Sequence, residues 1–430
     1  MLHANISPPS ALPHTATATR SAASVKLGLR HRLYDLLRLN FALFPGIRQA
    51  RSATFLQPHY AHRAARQGLP RIAFNALVFV AFQTWLPFRT RAVARKWGHD
   101  RIWEKRTLQI CRSRFVDPND IALFRIEQAG QLDDYVRRFE HIPLGRAMAH
   151  AESDHSALLI DKLHFYQTCN AGNLPHPEVI AYDEAGLLRL DAKPNAGETL
   201  FVKPACGSGG RGAIEIELPA DGDPVAHLQT IVAGLRQREK GWDKQCWIIQ
   251  RRLQPHPQLR ALCGPVLPTA RLITMLDERG RPEIVSTVLR FPARFDAIVD
   301  NIGLGGLSAP IDADSGELGA GCAGMRPGEY REHPESGAAI EGCTIPFWPD
   351  IRELVERCHA NHFSDHVMVG WDVAIADTGP ALLEANARPS IILAQRATRK
   401  PVGPTRMGQL MAFHLEARRQ EGKGRNRIIM

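Results

Sequence analysis

Gly370-Trp-Asp-Val-Ala-Ile-Ala-Asp-Thr-Gly-Pro-Ala-Leu-Leu-Glu-Ala-Asn-Ala-Arg388 places two short apolar runs on either side of Asp377-Thr-Gly379. The triplet is a turn signal, with glycine where a left-handed residue is wanted, so the stretch is expected to be a β-hairpin. Strand side chains alternate between faces, so Glu384 and Asn386 point the same way. With a three-residue loop and Gly379 left-handed, Ala376 pairs with Pro380 and Asp372 falls opposite Glu384. One face then carries Asp372, Ala374, Ala376, Leu382, Glu384 and Asn386; the other carries Val373, Ile375 and Leu383. A two-residue loop shifts the register by one and parts the acids. Two carboxylates and an amide oxygen beside small residues make a hard, oxygen-only set, suited to magnesium carrying a phosphate chain. Without a cation, like charges on one face destabilise each other, and at least one carboxyl is expected to hold a proton.

Upstream, Thr199-Leu-Phe-Val-Lys-Pro-Ala-Cys-Gly-Ser-Gly-Gly-Arg-Gly-Ala-Ile-Glu-Ile-Glu-Leu218 reads as a strand bearing Lys203, a glycine-rich loop and a second alternating strand. Gly207, Ser208, Gly209, Gly210 and Gly212 let backbone N–H groups curl around phosphate oxygens, with Lys203 as a point charge. The alternative is a flexible hairpin tip. The loop is neither a Walker loop nor a dinucleotide fingerprint, because no Gly-Lys-[Ser/Thr] follows and a strand stands where a helix should begin. Residues 161–169 read as a helix carrying Lys162, and residues 178–182 as a strand. Cys246–Gln250 is a strand that breaks at Arg251–Pro257. Ala270–Leu276 and Glu283–Phe291 are antiparallel strands joined by Asp277–Gly280, followed by the glycine-rich segment Asp300–Gly306; residues 351–363 form a helix leading into the hairpin.

The net charge of +10 is unevenly placed: up to Ser113 there are 18 Lys and Arg against 3 Asp and Glu, a net of +15 that leaves −5 for the rest. Such a basic face suits anionic lipid, polyanionic carbohydrate or nucleic acid, or serves solubility alone. A nucleic-acid binder is disfavoured, because the excess lies outside the motif-bearing part and no recognition module is present. The eight cysteines form no Cys-x-x-Cys pair, which points to reduced thiols in a cytoplasmic-type compartment. Residues 1–24 read as a disordered tail without a secretory core, and 25–113 as a basic amphipathic helical region. Its most apolar stretch, Ile72–Phe88, is bracketed by Arg71 and Arg89. That stretch is expected to lie in a membrane interface or against the catalytic body, short of a true span.

Lys162, then Lys203 with its glycine loop, a hinge strand, and finally acid and acid-x-Asn form an order that resembles the ATP-grasp superfamily. Within it the chain is similar to the sugar-transfer-associated branch related to α-L-glutamate ligases and linked to cell-surface polysaccharide biosynthesis. The resemblance runs from Arg114 to Ala417. It implies an α+β fold in which two antiparallel-sheet lobes hold ATP, preceded here by the helical, basic extension. The ATP-grasp part is placed at 114–420, with a glycine-loop lobe at about 196–252 and a metal-binding lobe at about 253–417; residues 421–430 form a basic tail. By resemblance, Lys162 and Lys203 contact phosphate oxygens, and Gly207 to Gly212 close over them. The backbone around Gln250, Arg251 and Leu253 reads adenine. Asp372, Glu384 and Asn386 hold magnesium, with manganese as the alternative. Arg271, Arg290, Asn301 and Arg388 match positions around the γ-phosphate and acceptor. One departure stands out: no acid lies between Gln245 and Ala270 for the ribose, leaving Gln254, His256 or Gln258 for that task.

The expected activity is an ATP-dependent carboxylate–amine ligase that forms ADP through an acylphosphate. Its partners are a small-molecule or saccharide-linked carboxylate, an amine acceptor and, peripherally, the anionic inner face of a membrane, with the body cytoplasmic. The alternatives are an ATP-grasp phosphotransferase, or a nucleotide-binding, membrane-apposed assembly factor with little turnover.

Overall fold

The computed structural model describes residues 53–149, 159, 161–184, 186–207, 212–238, 245–297, 299–300, 302, 305–324 and 326–421. The tails expected at 1–24 and beyond 421 lie outside these residues. Helices come first: α1 (Gln57–Ala65), α2 (Leu69–Trp97), α3 (Arg101–Arg114), α4 (Pro118–Phe124) and α5 (His141–Met148). Their boundaries follow local chemistry. Pro70 sits in the first turn of α2, where a missing N–H costs nothing, and Gly98 closes that helix at φ +70°. The Asp100 and Asp117 carboxylates cap α3 and α4, each accepting a backbone N–H at 2.8 Å. Helices continue on both sides of Ser113. Leu56, Phe82, Leu86, Ile121 and Leu144 share one hydrophobic core with Met275, Met368, Leu410 and Met411. The helices are therefore built onto the body, and no chain break separates them at residue 113.

After α6 (Lys162–Ala171) comes a five-stranded antiparallel sheet made of β1 (Val179–Glu184), β2 (Leu187–Leu190), β3 (Thr199–Pro204), β4 (Ile214–Glu217) and β5 (Trp247–Arg251), in the order β2-β1-β5-β3-β4. Helix α7 (Pro224–Arg238) covers one face through Leu228, Val232 and Leu235, packed on Ile180, Leu200, Val202 and Ile249. This sheet begins at Val179, ahead of the expected residue 196, because β1 is a direct partner of the central strand β5.

The one-turn helix α8 (Arg260–Cys263) leads to a second antiparallel sheet. It comprises β6 (Thr269–Leu276), β7 (Pro282–Phe291), β8 (Leu307–Pro310), β9 (Gly321–Ala323), β10 (Glu329–Tyr330), β11 (Met368–Ala376) and β12 (Gly379–Asn386), in the order β10-β9-β8-β7-β6-β11-β12. Helix α9 (Trp348–His362) packs its Ile351, Leu354 and Val355 into the core shared by Trp371, Val373 and Ile375; α10 (Ile391–Thr398) and α11 (Arg406–Gln420) follow. Every residue of β11 is buried, as befits a strand with neighbours on both edges and cover on both faces.

The β11–β12 hairpin differs from expectation in an instructive way. It turns through two residues, Asp377 and Thr378, with Ala376 paired to Gly379 (φ +125°) and Ile375 to Pro380. Continued unbroken, that register would part Asp372 from Glu384. A β-bulge at Leu383 restores it: Val373 pairs with Leu382, yet Asp372 pairs with Glu384. Leu382, expected beside the acids, is fully buried in the core with Val373 and Ile375. Leu383, expected on the core face, lines a cavity instead. Its carbonyl accepts a hydrogen bond from the Tyr166 hydroxyl at 2.7 Å, which satisfies a polar group at the break in the ladder.

Gly370, opposite Asn386, has no room for a side chain: a Cβ there would lie 2.4 Å from Pro389 Cβ and 3.2 Å from its Cγ. Gly370→Ala is expected to cost about 1–3 kcal/mol in urea unfolding, since the clash displaces the segment after the hairpin. A loss below about 0.5 kcal/mol would mean that Pro389 yields freely.

Candidate functional site

Arg271, Asp372 and Glu384 form one row across β6, β11 and β12, because Asp372 pairs with Arg271 on one side and Glu384 on the other. Arg271 grips the Asp372 carboxylate with both Nε and Nη2, the latter at 2.7 Å, and Arg290 Nη2 lies 3.3 Å from the same group. Burial pushes the Asp372 pKa up, but Arg271 and Arg290 outweigh it and hold the carboxyl below its usual range. The expected proton on a crowded carboxyl is thus not found at Asp372: the cations are supplied by the protein. Arg290 also meets Asp300 at 3.4 Å, and Thr269 donates to Asp300. Burial opposes charge on Arg290, yet Asp300, Asp372 and Glu384 raise its pKa. Asp300 itself is pushed up, chiefly by burial. Asn386 Nδ2 donates to Glu384 Oε1 at 3.0 Å.

The first sheet and α6 bring lysines to this face. Lys162, in the first turn of α6 behind its Asp161 cap, donates to the Gly207 carbonyl at 2.7 Å and lies 3.5 Å from Glu384 Oε2. Lys203 on β3 donates to the Tyr166 hydroxyl at 2.6 Å and stands 4.9 Å from the ring centroid. A chain of hydrogen bonds therefore runs Lys203–Tyr166–Leu383, from the first sheet to the bulge of the second. Gly207 (φ +141°) and Gly212 (φ +82°) occupy the left-handed region at the ends of the loop. Ser208, Gly209, Gly210 and Asn301 lie outside the described residues.

Burial, with help from Lys162 and against Glu384 and Asp372, lowers the Lys203 pKa to about 7. An unfolded lysine titrates near 10.4. Between these values the unfolded chain holds a proton that the native state has released, so stability must rise with pH across that window and be flat in this term below it. Thermal melts of the ligand-free protein are expected to show that rise between about pH 7 and about pH 10, and Lys203→Met is expected to flatten it. An unchanged slope in the variant would assign the effect elsewhere.

The hinge is more constrained than expected. The Arg251 amide donates to the Glu178 carbonyl at 3.0 Å, and its guanidinium pairs with Glu178 (2.9 Å) and Glu198 (3.2 Å). Gln250 is buried in the central strand, with its side chain 3.5 Å from the Pro177 carbonyl. Gln250 and the Arg251 N–H are thus engaged within the first sheet, while Arg252 and Leu253 lie just past its central strand. Arg252 pairs with Glu215 at 2.7 Å and donates to the Pro265 carbonyl at 2.9 Å. The chain then crosses to the hairpin tip: Asp377 N–H donates to the Gln254 carbonyl at 2.9 Å, and His256 N–H to that of Ile375 at 3.0 Å.

These groups surround one cavity of about 380 Å³ between the sheets. Lys162, Lys203, Gly207, Gln250, Arg251, Leu253, Arg271, Arg290, Asp372, Glu384, Asn386 and Arg388 all line it. The Arg388 stem faces Gly145 of α5, where a Cβ would stand 3.4 Å from its Cγ. Seven cationic side chains line the cavity against four carboxylates, so the space is built for a polyanion. No His or Cys is among its described lining. Among the described residues no three His, Cys, Asp or Glu side chains cluster as a metal site. The trio Asp372, Glu384 and Asn386 nevertheless fits a hard divalent ion that keeps phosphate and water ligands: it is oxygen-rich, on one face, and its amide presents oxygen by a flip.

Sequence reasoning missed Tyr166, Glu215, Thr269 and Asp300. Tyr166 was legible, since it stands four residues after Lys162 on a helix and shares its face. Asp300 adjoins Asn301 in a segment already marked by glycines. Glu215 and Thr269 carry no local signal.

Residues 149–405 match the family described as sugar-transfer associated ATP-grasp. Similar solved structures include D-alanine–D-alanine ligase from Bacillus anthracis complexed with ATP (11% identity, TM-score 0.35, covering 61% of this chain and 67% of that one). D-alanyl-alanine synthetase A from Vibrio cholerae O1 biovar eltor gives 12% identity, TM-score 0.37, and 61% and 65% coverage. D-cycloserine synthetase gives 13%, 0.34, 60% and 71%. No curated protein sequence matches the chain.

Proposed function

Because the chain belongs to the sugar-transfer associated ATP-grasp family, we propose that it is an ATP-dependent, ADP-forming ligase joining a carboxylate to an amine. The observation that carries this reading is the cavity in which Lys162 and Lys203 face Asp372, Glu384 and Asn386 across two sheets. A carboxylate oxygen of the substrate attacks the γ-phosphorus, and the bond to the β,γ-bridging oxygen breaks, so ADP leaves and an acylphosphate remains. An amine then attacks the acyl carbon, the C–O bond to phosphate breaks, and the nitrogen loses a proton to water. In this scheme Lys162 and Lys203 hold phosphate oxygens, and Arg271, Arg290 and Arg388 neutralise charge around the transferred group and acceptor. Ser208, Gly209, Gly210, Gly212 and Asn301 complete the nucleotide side, and Leu253 faces the base. Magnesium, or manganese, held by Asp372, Glu384 and Asn386 would supply charge neutralisation of the phosphate chain. Positioning and charge carry the rate, since the described lining offers no His or Cys for covalent catalysis.

We assign the reaction to cell-surface polysaccharide biosynthesis, on a saccharide-linked carboxylate in the cytoplasm beside the inner membrane face; the family's description as sugar-transfer associated supports this reading. The test is incubation of the protein with ATP, magnesium and mixed carboxylates and amines, followed by mass spectrometry. ADP, phosphate and a stable amide support a ligase. A phosphorylated alcohol as the end product, or no turnover with any pair, overturns it.

A further inference from the structure

We infer that the outward face of α2, together with the cations of α3, is a docking surface that lies in the plane of an anionic lipid bilayer. A helix on a soluble protein normally turns polar residues to water. Here Leu69 (81% exposed), Leu77 (70%), Val80 (60%) and Phe88 (75%) project outward, joined by Ile72 and Trp85. At about 100° per residue, Leu69, Leu77, Val80 and Phe88 fall on one stripe, which runs for about 30 Å at 1.5 Å per residue. Helix α2 is long and apolar enough to cross a membrane by length and composition. Its other face forbids that, because Val78, Phe82, Leu86 and Val93 are locked in the protein core, and Asn75 is hydrogen-bonded to Gln67 at 3.0 Å. Only one side remains for lipid, which is the geometry of a helix lying in an interface.

Charge selects the occupant. Between Leu69 and Arg114 the sequence carries ten Lys and Arg but only two acids, Asp100 and Glu104. Arg91 and Arg95 continue the apolar stripe at its C-terminal end, and Arg101, Lys105, Arg106 and Arg112 are exposed on α3, which packs alongside. Arg89, turned toward the body and paired with Asp117 at 3.4 Å, lies 5.5 Å from the Trp85 ring. An apolar stripe bordered by cations matches acyl chains bordered by lipid phosphates. This surface stands apart from the nucleotide cavity, and the inference holds whether or not the chain proves to be a ligase.

The experiment is flotation of the full chain with vesicles of phosphatidylcholine alone or mixed equally with phosphatidylglycerol. Binding is expected to the mixed vesicles, to fall with added salt, and to drop about tenfold or more in Leu77→Asp/Phe88→Asp. Both positions are exposed, and an unaltered circular-dichroism melt would show the variant folded; Arg95→Glu/Lys105→Glu gives the same reading through charge alone. Absence of wild-type binding to mixed vesicles overturns the proposal, as does undiminished binding by both double variants. A wild-type dimer that Leu77→Asp/Phe88→Asp splits without changing vesicle binding also overturns it, since a second copy then covers the face.

Discussion

Glu384→Gln is expected to abolish the thermal stabilisation conferred by magnesium–ATP and to lower turnover by about 100-fold or more. The substitution keeps shape and removes one charge from the trio that faces Lys162 across 3.5 Å. A ligand at one hundred times its dissociation constant stabilises a fold by about 2.7 kcal/mol. If Glu384 is a metal ligand, most of that gain disappears. The ligand-free variant has a second tale to tell. From the sequence, two bare carboxylates should repel, and neutralising one should help. The structure reverses the sign: Asp372 is already gripped by Arg271 and Arg290, and Glu384 sits beside Lys162. Ligand-free Glu384→Gln is therefore expected to lose about 1 kcal/mol or less, given that Glu384 is partly exposed. Melting curves with and without magnesium–ATP decide both points, and a full ligand-induced shift in the variant removes Glu384 from the metal site.

Lys203→Ala should separate function from stability most sharply. In the ligand-free protein this lysine is desolvated, with its pKa down to about 7, so its charge contributes little to the fold. Tyr166 keeps its bond to the Leu383 carbonyl when Lys203 is gone, so no buried donor is stranded. The melting temperature near neutral pH should hold or rise slightly. Against a triphosphate the balance inverts, since the phosphates restore the charge on the lysine and lose a direct contact without it. A fall of about 100-fold or more in kcat/KM for ATP is expected. Near-normal ATP binding and turnover would show that Lys203 faces something else.

What was legible in the sequence follows physical lines. The hairpin, the strands on either side of Asp277–Gly280 and the strand carrying Lys203 were readable, because each rests on local periodicity or turn chemistry. The bulge at Leu383 was not. It carries no glycine, and its place is set by Leu382 entering the core while the Leu383 carbonyl reaches Tyr166. Two errors, the loop length and the unbroken ladder, cancelled at Asp372 and Glu384 and left Leu382 and Leu383 exchanged. The Arg271–Asp372 pair joins residues 101 positions apart, beyond any sequence window.

The bonds between the hairpin tip and the segment after β5 have a mechanical meaning. Gln254 and His256 are tied to Asp377 and Ile375, with Pro255 bridged to Ala376. From Gln254 onward the chain is therefore fastened to the second sheet. Arg252 and Leu253 are the residues left between β5 and that attachment. Arg252 is itself bolted to Glu215 on one side and Pro265 on the other. Arg252 thus ties β4 of the first sheet to the segment that leads into β6 of the second, a direct link between the two walls of the cavity.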